Sequence, residues 1–426
     1  MSELHDRHRA VLPSWLALYY DEPIALTRGE GRRVYDADGN EYLDFFGGIL
    51  TTMVGHDVPE IVAAVREQAG RILHTSTLYL IESQIELAER IADLAPMDDA
   101  KVFFVSSGTE ANEAALLFAT NYRRSNQVLA LRNSYHGRSF GAMAVTGNRS
   151  WSASHLSGLN VSYVHGAYRY RSPFRDLPDR AYISVCAQDL REVIETTTAG
   201  DVACMIAEPI QGVGGFSTPP DGLFAAFKEV LDEHGILFVS DEVQTGWGRT
   251  GENFWGIEAH DVVPDMITFA KGVANGLALA GVVGRAELID AIEANSISTF
   301  GGNPMATAAG LATLDYLLSH DLQGNALKVG EQMRTRLEAI EGGIVGDVRG
   351  KGLMIGVELV VDGSRDPNPA AAARVLERCK RRGLLIGKGG LYGNCLRIAP
   401  PLSVTGEEAD EACGILIAAI EEVGAD

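Results

Sequence analysis

Between Lys101 and Gly284 the chain carries short apolar runs at 101–105, 128–131, 203–207, 236–240, 266–270 and 281–284, separated by helical or loop-forming stretches. Runs this short, apolar at consecutive rather than alternate positions, suit strands buried on both faces. Helices in the intervals then predict an α/β fold: a mostly parallel central sheet with helices on both faces. In open sheets of this kind, ligands bind outside the carboxyl ends of the strands. The residues that follow each run are therefore where function is to be sought.

The chain has 426 residues, too many for one small core, and suits a large domain plus a smaller one. The stretch before about Pro59 is turn-rich. Within it, Arg33 to Asp44 reads as a strand, a tight Asp38-Gly39 turn and a second strand. Helices are expected from about Glu60 to Gly70, with Ile61, Ala64 and Val65 on one face, and from about Ser83 to Leu94. Residues 305–340 look helical. Strands return at Leu353–Leu359 and Cys395–Ile398, and a last helix runs from about Gly406 to Glu422. The expected division is an N-terminal segment, 1–59, that packs with the small domain; a large domain, 60–309; and a small α+β domain, 310–426.

Polar residues gather at the ends of the apolar runs. Ser107-Gly108-Thr109 follows 101–105, Glu208 follows 203–207, Asp241 follows 236–240 and Lys271 follows 266–270. A lysine and an aspartate delivered to one sheet edge are what a pyridoxal 5'-phosphate enzyme needs. The amine forms a Schiff base with the cofactor aldehyde, and the carboxylate keeps the pyridine nitrogen protonated so that the ring accepts electrons. On spacing alone Lys271 reads as a surface lysine at a strand end, and Asp241 can be a cap after a strand. Their pairing favours the cofactor. A partly buried lysine loses proton affinity readily and can then shuttle a proton.

Other segments fit the same chemistry. Ser107 and Glu110 have the spacing of a helix capping box. A glycine beside that cap lets backbone N–H groups approach a phosphate at the positive helix end. Tyr135 can stack on the cofactor ring or simply pack in its loop. Arg138 can take a carboxylate through two parallel N–H bonds or lie exposed in solvent. If the strand continues past Asp241, Val243 backs the ring and Gln244 reaches its phenolic oxygen. Thr299, in Thr299-Phe300-Gly301-Gly302-Asn303-Pro304, presents a hydroxyl to a phosphate or belongs to a turn. Arg397 lies among apolar neighbours, so it needs a partner: a structural carboxylate or that of a substrate. Gly246-Trp247-Gly248-Arg249-Thr250-Gly251 matches GxGxxG literally. It is too far from its strand and opens no helix, which argues against a dinucleotide site.

Composition narrows the partners. The formal net charge is −21 with 46% hydrophobic residues, which repels nucleic acid and anionic lipid. No apolar run is long enough to span a bilayer. The polar N-terminus from Met1 to Arg7 has no signal-peptide core. Cys186, Cys204, Cys379, Cys395 and Cys413 are scattered, odd in number and without CxxC spacing. That argues against disulfides and a zinc site, and a reducing cytoplasm is expected.

Several of these motifs resemble the class III pyridoxal-phosphate aminotransferases. They are Ser107-Gly108-Thr109-Glu110-Ala111-Asn112-Glu113, Glu208-Pro209-Ile210-Gln211-Gly212, Asp241-Glu242-Val243-Gln244-Thr245-Gly246, Lys271-Gly272 and Thr299 to Pro304, in order over about Gly31 to Pro401. The resemblance implies fold type I and a homodimer with active sites at the interface. By it, Gly108 and Thr109 hold the phosphate, joined by Thr299 of the partner subunit. Tyr135 stacks on the ring, Asp241 pairs with its nitrogen and Gln244 meets its phenolic oxygen. Lys271 is the Schiff-base and proton-transfer residue, Arg397 binds an α-carboxylate, and Glu208 stands behind the site. Relatives that use glutamate as donor often carry a glutamate two residues after the Gln of Glu-Pro-Ile-Gln-Gly, which pairs with the arginine matching Arg397. Here that position is Val213.

The implied reaction is a ping-pong transamination from alanine or a β- or ω-amino acid to a small 2-oxo acid such as glyoxylate or pyruvate. Phe45-Phe46-Gly47-Gly48-Ile49, Gly55-His56, His74-Thr75-Ser76-Thr77 and Gln211-Gly212-Val213 resemble the alanine–glyoxylate branch of the class. Alternatives are a 4-aminobutyrate or ornithine type using 2-oxoglutarate, a decarboxylase or aminomutase on the same scaffold, and a non-catalytic homologue.

Overall fold

In the computed structural model, which describes residues 2–16, 18–154, 156–340 and 342–426, the chain forms strands in three sheets. Met1 of the N-terminal reading lies outside the described residues. The strands are β1 (Leu26–Glu30), β2 (Arg33–Asp36), β3 (Glu41–Asp44), β4 (Ala100–Val105), β5 (Gln127–Leu131), β6 (Asn160–Val164), β7 (Cys204–Ala207), β8 (Leu237–Asp241), β9 (Met266–Phe269), β10 (Ala280–Arg285), β11 (Val345–Lys351), β12 (Met354–Leu359), β13 (Leu384–Leu385), β14 (Gly387–Gly389) and β15 (Cys395–Ile398).

The central sheet has seven strands in the order β4-β10-β9-β8-β7-β5-β6. Its apolar runs are strands because their residues are buried throughout: every position of β5, β7, β8 and β9 is buried. Neighbours from β9 to β6 are parallel. β10 is antiparallel to both β9 and β4. Chain length is the reason. Only residues 270–279 join β9 to β10, too few for the crossover of a dozen or more residues that a parallel return requires. Two reversals cancel, so β4 again runs parallel to β9 and ends at the same edge. The architecture is the α/β fold of the fold type I enzymes, with a mostly parallel sheet.

Helices cover the sheet with small and aromatic side chains. The helix Gly108–Arg123 buries Ala111, Ala114, Ala115, Leu116, Phe118 and Ala119, which lets its backbone lie close to the strands. Phe224 of the helix Leu223–Glu233 stacks on Phe238 of β8 at 5.8 Å. The structure differs from the sequence reading in two places. β6 lacks a continuous apolar run, because as an edge strand it is only partly buried. The expected helix over 305–340 is two, Pro304–Ser319 and Leu322–Glu338. Asp321 breaks it by adopting a left-handed backbone (φ 47°) and accepting from Gly324 N at 3.2 Å, which caps the second helix.

Two smaller sheets, β1-β2-β3-β13 and β11-β12-β15-β14, come from the chain ends. β13 lies parallel to β3, pairing Leu384 with Leu43 and Leu385 with Asp44. The segment after β15 is tied to the N-terminal region through Ala399 N to Phe45 O at 2.8 Å and Leu402 N to Met53 O at 2.7 Å. No helix among the described residues is long and apolar enough to cross a membrane.

Candidate active site

A cavity of about 380 Å³ opens at the carboxyl edge of the central sheet. Its walls include Ser107, Gly108, Thr109, Tyr135, Arg138, Glu208, Asp241, Val243, Gln244 and Lys271. Every candidate residue from the sequence is there except Arg397 and Thr299. The convergence follows from topology. β4, β7, β8 and β9 all end at this edge, and each hands one polar group to the cavity.

Lys271 is delivered by a constrained backbone. It opens the short reversal between β9 and β10 with φ 49°, a left-handed conformation that costs a non-glycine residue roughly 1–3 kcal/mol. The neighbours enforce it. A Cβ at Gly272 would lie 2.6 Å from Met53 Sδ, so only glycine lets the turn close on that methionine. Asn275 accepts from Val54 N at 3.0 Å and donates to Gly55 O at 2.8 Å, which pins the far side of the turn. Burial, helped by nearby Arg397, pulls the Lys271 amine down to about 8 against the opposing pull of Asp241 and Glu208. Roughly a tenth of the amine is therefore unprotonated at neutral pH, far more than for a lysine of ordinary pKa.

Asp241 is fixed by residues for which the sequence reading gave no role. His136 Nδ1 lies 2.7 Å from Asp241 Oδ2, and Asn112 Nδ2 donates to the same oxygen at 2.8 Å. Asn112 also donates to His136 O at 2.7 Å and accepts from Thr268 Oγ1 at 2.7 Å. Both of its N–H donors and its carbonyl oxygen are thus engaged. Asp241 Oδ1 accepts from Val243 N at 3.1 Å. Asn112 lies one helical turn after Gly108, on the same face, and His136 follows Tyr135. Those offsets were the available signals.

The helix that begins at Gly108 gives the cavity an anion-seeking end. Ser107 caps it, accepting from Glu110 N at 3.4 Å. The capping box differs from the expected one: Glu110 Oε2 accepts from Ser106 N at 2.8 Å, one residue before the cap. The amides of Gly108 and Thr109 belong to the first turn, where no intrahelical carbonyl reaches them. Thr109 Oγ1 bonds to Ser139 Oγ at 2.6 Å and accepts from the backbone of Arg138 and Ser139 at 3.2 and 3.1 Å. That fold-back anchors the Tyr135–Ser139 loop to the helix start.

Glu208 accepts from Tyr135 N and Gly212 N, both at 2.8 Å. Burial and the charge of Asp241 push its carboxyl up to about 7, while His136 and those two amides pull it down. Gln244 is wedged against Gly212, and its Oε1 is buried without a partner. Arg397, in β15, is 2% exposed. Its guanidinium lies 4.8 Å from the Phe46 ring and 5.6 Å from the Phe216 ring, and Nη1 donates to Gly212 O at 3.3 Å. Its Nε has no partner, and no carboxylate pairs with it among the described residues. The structural carboxylate that would explain a buried arginine is not there. Arg138 is exposed at the cavity rim, 5.7 Å from the Trp15 ring. Thr299 is exposed and does not line the cavity.

The residues fit pyridoxal phosphate on their own chemistry. The cavity offers a helix N-terminus for a dianion, an anchored carboxylate for a ring nitrogen, an amine of depressed pKa, and the unpartnered Gln244 Oε1. The comparisons agree. A model of the family described as aminotransferase class III matches residues 18–420. A mitochondrial protein of Arabidopsis thaliana named alanine–glyoxylate aminotransferase 2 homolog 2 is 39% identical, over 96% of this chain and 84% of its own. An alanine/serine racemase of Pyrococcus horikoshii is 38% identical, over 99% and 90%. Among solved structures, an (S)-enantioselective omega-transaminase from Thermomicrobium roseum superposes with a TM-score of 0.91 at 33% identity, covering 99% of this chain and 98% of that one. The chain belongs to the class III aminotransferases, enzymes that transfer amino groups with pyridoxal 5'-phosphate.

Proposed function

We propose that the enzyme takes the amino group of alanine, or of a β- or ω-amino acid, and passes it to a small 2-oxo acid such as glyoxylate or pyruvate in a ping-pong sequence. The observation that carries this reading is Arg397, buried, with Nε unpartnered and Val213 where a glutamate would neutralise it. A guanidinium so placed is available to an α-carboxylate throughout both half-reactions. The name of the Arabidopsis relative supports the same substrates. Arg138 at the rim keeps an ω-carboxylate within reach, the feature favouring a 4-aminobutyrate or ornithine type as the alternative.

Pyridoxal phosphate, when bound, supplies an electron-accepting ring that lets a proton leave the carbon bearing the amino group. Gly108 and Thr109 present backbone N–H groups to its phosphate at the start of their helix. Asp241, held by His136 and Asn112, keeps a proton on the ring nitrogen. Val243 and Tyr135 confine the ring, and Gln244 meets its phenolic oxygen. Lys271 Nζ would hold the cofactor at its aldehyde, and as a free amine it would accept a proton from the carbon bearing the amino group and give it back. Glu208 holds the Tyr135 loop and the Gly212 turn in place. Arg397 orients the substrate carboxylate.

Three further proposals concern assembly, domains and location. The active unit is a homodimer in which Thr299 serves the partner's site. Leu78, Tyr79, Leu80, Ile297 and Phe300 are apolar yet exposed, and the His74 ring lies 5.2 Å from Phe300, tilted by 45°. Such a patch is larger than isolated exposed side chains and suits a subunit contact. The chain divides into 1–59, 60–309 and 310–426, a division supported by the confinement of β4 to β10 to the middle part and by the pairing of β3 with β13. A reducing compartment such as the cytoplasm is supported by five free, buried cysteines.

A panel of donors and acceptors tests the substrates. Alanine with glyoxylate, or a β- or ω-amino acid with pyruvate, should give the highest kcat/KM, and 2-oxoglutarate should be a poor acceptor; strong glutamate use would reject the reading. The same panel separates other chemistries, because a racemase inverts alanine without an acceptor and a decarboxylase releases carbon dioxide. Lys271→Ala should lower kcat by roughly 10³-fold or more, since a positioned proton-transfer group alone contributes about 10²–10⁴; near-native turnover would remove the lysine from its role. Cofactor uptake by the apoenzyme, followed by visible absorbance, should quicken with pH around a midpoint near 8, where the Lys271 amine loses its proton. A midpoint above 10 would contradict the buried, depressed amine. Sedimentation should show a two-chain particle, and Thr299→Ala should weaken cofactor retention; a monomer with full activity would exclude the shared site.

A further inference from the structure

The segment Gly246-Trp247-Gly248-Arg249-Thr250-Gly251, unused by any nucleotide, is a junction. It begins five residues after Asp241. Trp247 is buried and packs at 5.6 Å against Phe269, two residues before Lys271. Gly248 and Gly251 press on the helix Leu322–Glu338: a Cβ on either would lie 2.8 Å from Gln323 Cβ or 2.6 Å from Leu327 Cα. Arg249 is 2% exposed. Its Nη1 donates to Pro400 O at 2.5 Å and to Leu353 O at 3.3 Å, and its own carbonyl accepts from Leu353 N at 3.1 Å. No carboxylate pairs with it among the described residues. A buried guanidinium held only by carbonyls is costly. What this one achieves is geometric, because Pro400 stands three residues after Arg397 and Leu353 immediately precedes β12, the strand that pairs with Arg397's strand.

We infer that Arg249 is a positioning residue that fixes the strand bearing Arg397 relative to the strand bearing Asp241, and so places the substrate carboxylate. The inference rests on the reading of Arg397 as the carboxylate-binding residue. Asp241, Asn112 and His136 are held by the central sheet and its loops, and the Lys271 turn by Met53 and by the bonds of Asn275 to Val54 and Gly55. Cofactor binding should therefore survive loss of the Arg249 clamp. The contact that loosens is the one made to the carboxylate.

The test uses holoenzyme carrying Arg249→Met, Arg249→Lys or Arg397→Met. The readouts are the visible cofactor band, kcat and KM for L-alanine, and the inhibition constant of propionate, a carboxylate with no amino group. Arg249→Met should raise the alanine KM and the propionate constant about tenfold, the scale of a sub-ångström misplacement. Its kcat should stay within about twofold and its cofactor band should be unchanged. Arg249→Lys, which keeps one donor, should restore most of the loss, and carries the test if the methionine variant does not fold. Unchanged propionate binding in the Arg249 variants overturns the inference. So does a joint fall of cofactor content, kcat and affinity that lysine does not rescue. If Arg397→Met weakens propionate and the Arg249 variants do not, the carboxylate reading stands and only the positioning role falls. If Arg397→Met leaves propionate binding unaltered, both fall.

Discussion

Ten residues between β9 and β10 set the geometry on which the site depends. A connection of that length cannot carry a strand back in parallel, so the chain must reverse at the carboxyl edge of the sheet. The reversal forces Lys271 into a left-handed backbone at the mouth of the cavity. Met53 packs against it from the N-terminal segment, and Asn275 in the same turn bonds to Val54 and Gly55 of that segment. The strain stored in one residue is supported by packing from a region more than two hundred positions away in sequence. An amine placed by backbone geometry, rather than by a long flexible side chain finding its own way, enters the cavity in a narrow range of directions.

Electrostatics in the cavity is organised around a carboxylate that cannot move. Asp241 is gripped by His136 and Asn112, and Asn112 in turn by Thr268 on β9. Two adjacent strands and one helix are thereby locked to the same group. Glu208 feels the Asp241 charge and retains its proton more readily, while Lys271 releases its proton more readily through burial and Arg397. The site thus holds groups whose proton affinities are drawn together towards neutrality from opposite directions.

The sequence was legible wherever one local rule dominated. Continuous apolar runs such as 128–131 and 236–240 could be placed in the sheet because burial on both faces leaves no room for polar positions. Ser107, Asp241 and Lys271 could be placed at one edge because strand ends in such sheets converge. β6 escaped notice because an edge strand needs no apolar run, and the break at Asp321 because a side-chain cap overrode helix periodicity. His136 and Asn112 escaped for another reason. Their importance lies in whom they touch, and an offset of one position from Tyr135 or one turn from Gly108 becomes informative only when Asp241 is known to stand opposite. Arg397 showed the reverse: its apolar neighbours signalled the need for a partner, and the fold supplied aromatic faces and a carbonyl instead of an acid.

The pairing of β3 with β13 has a consequence for how the chain is made. One edge of β3 is paired early by β2, but the other is covered only when Leu384 arrives beside Leu43, so the first strands synthesised must wait through almost the whole of translation with an open edge. Contacts so distant along the chain close late and slow folding. Until then, the apolar side of that hairpin is a sticky surface in a crowded cell, and nascent chains of this enzyme are natural clients for a chaperone.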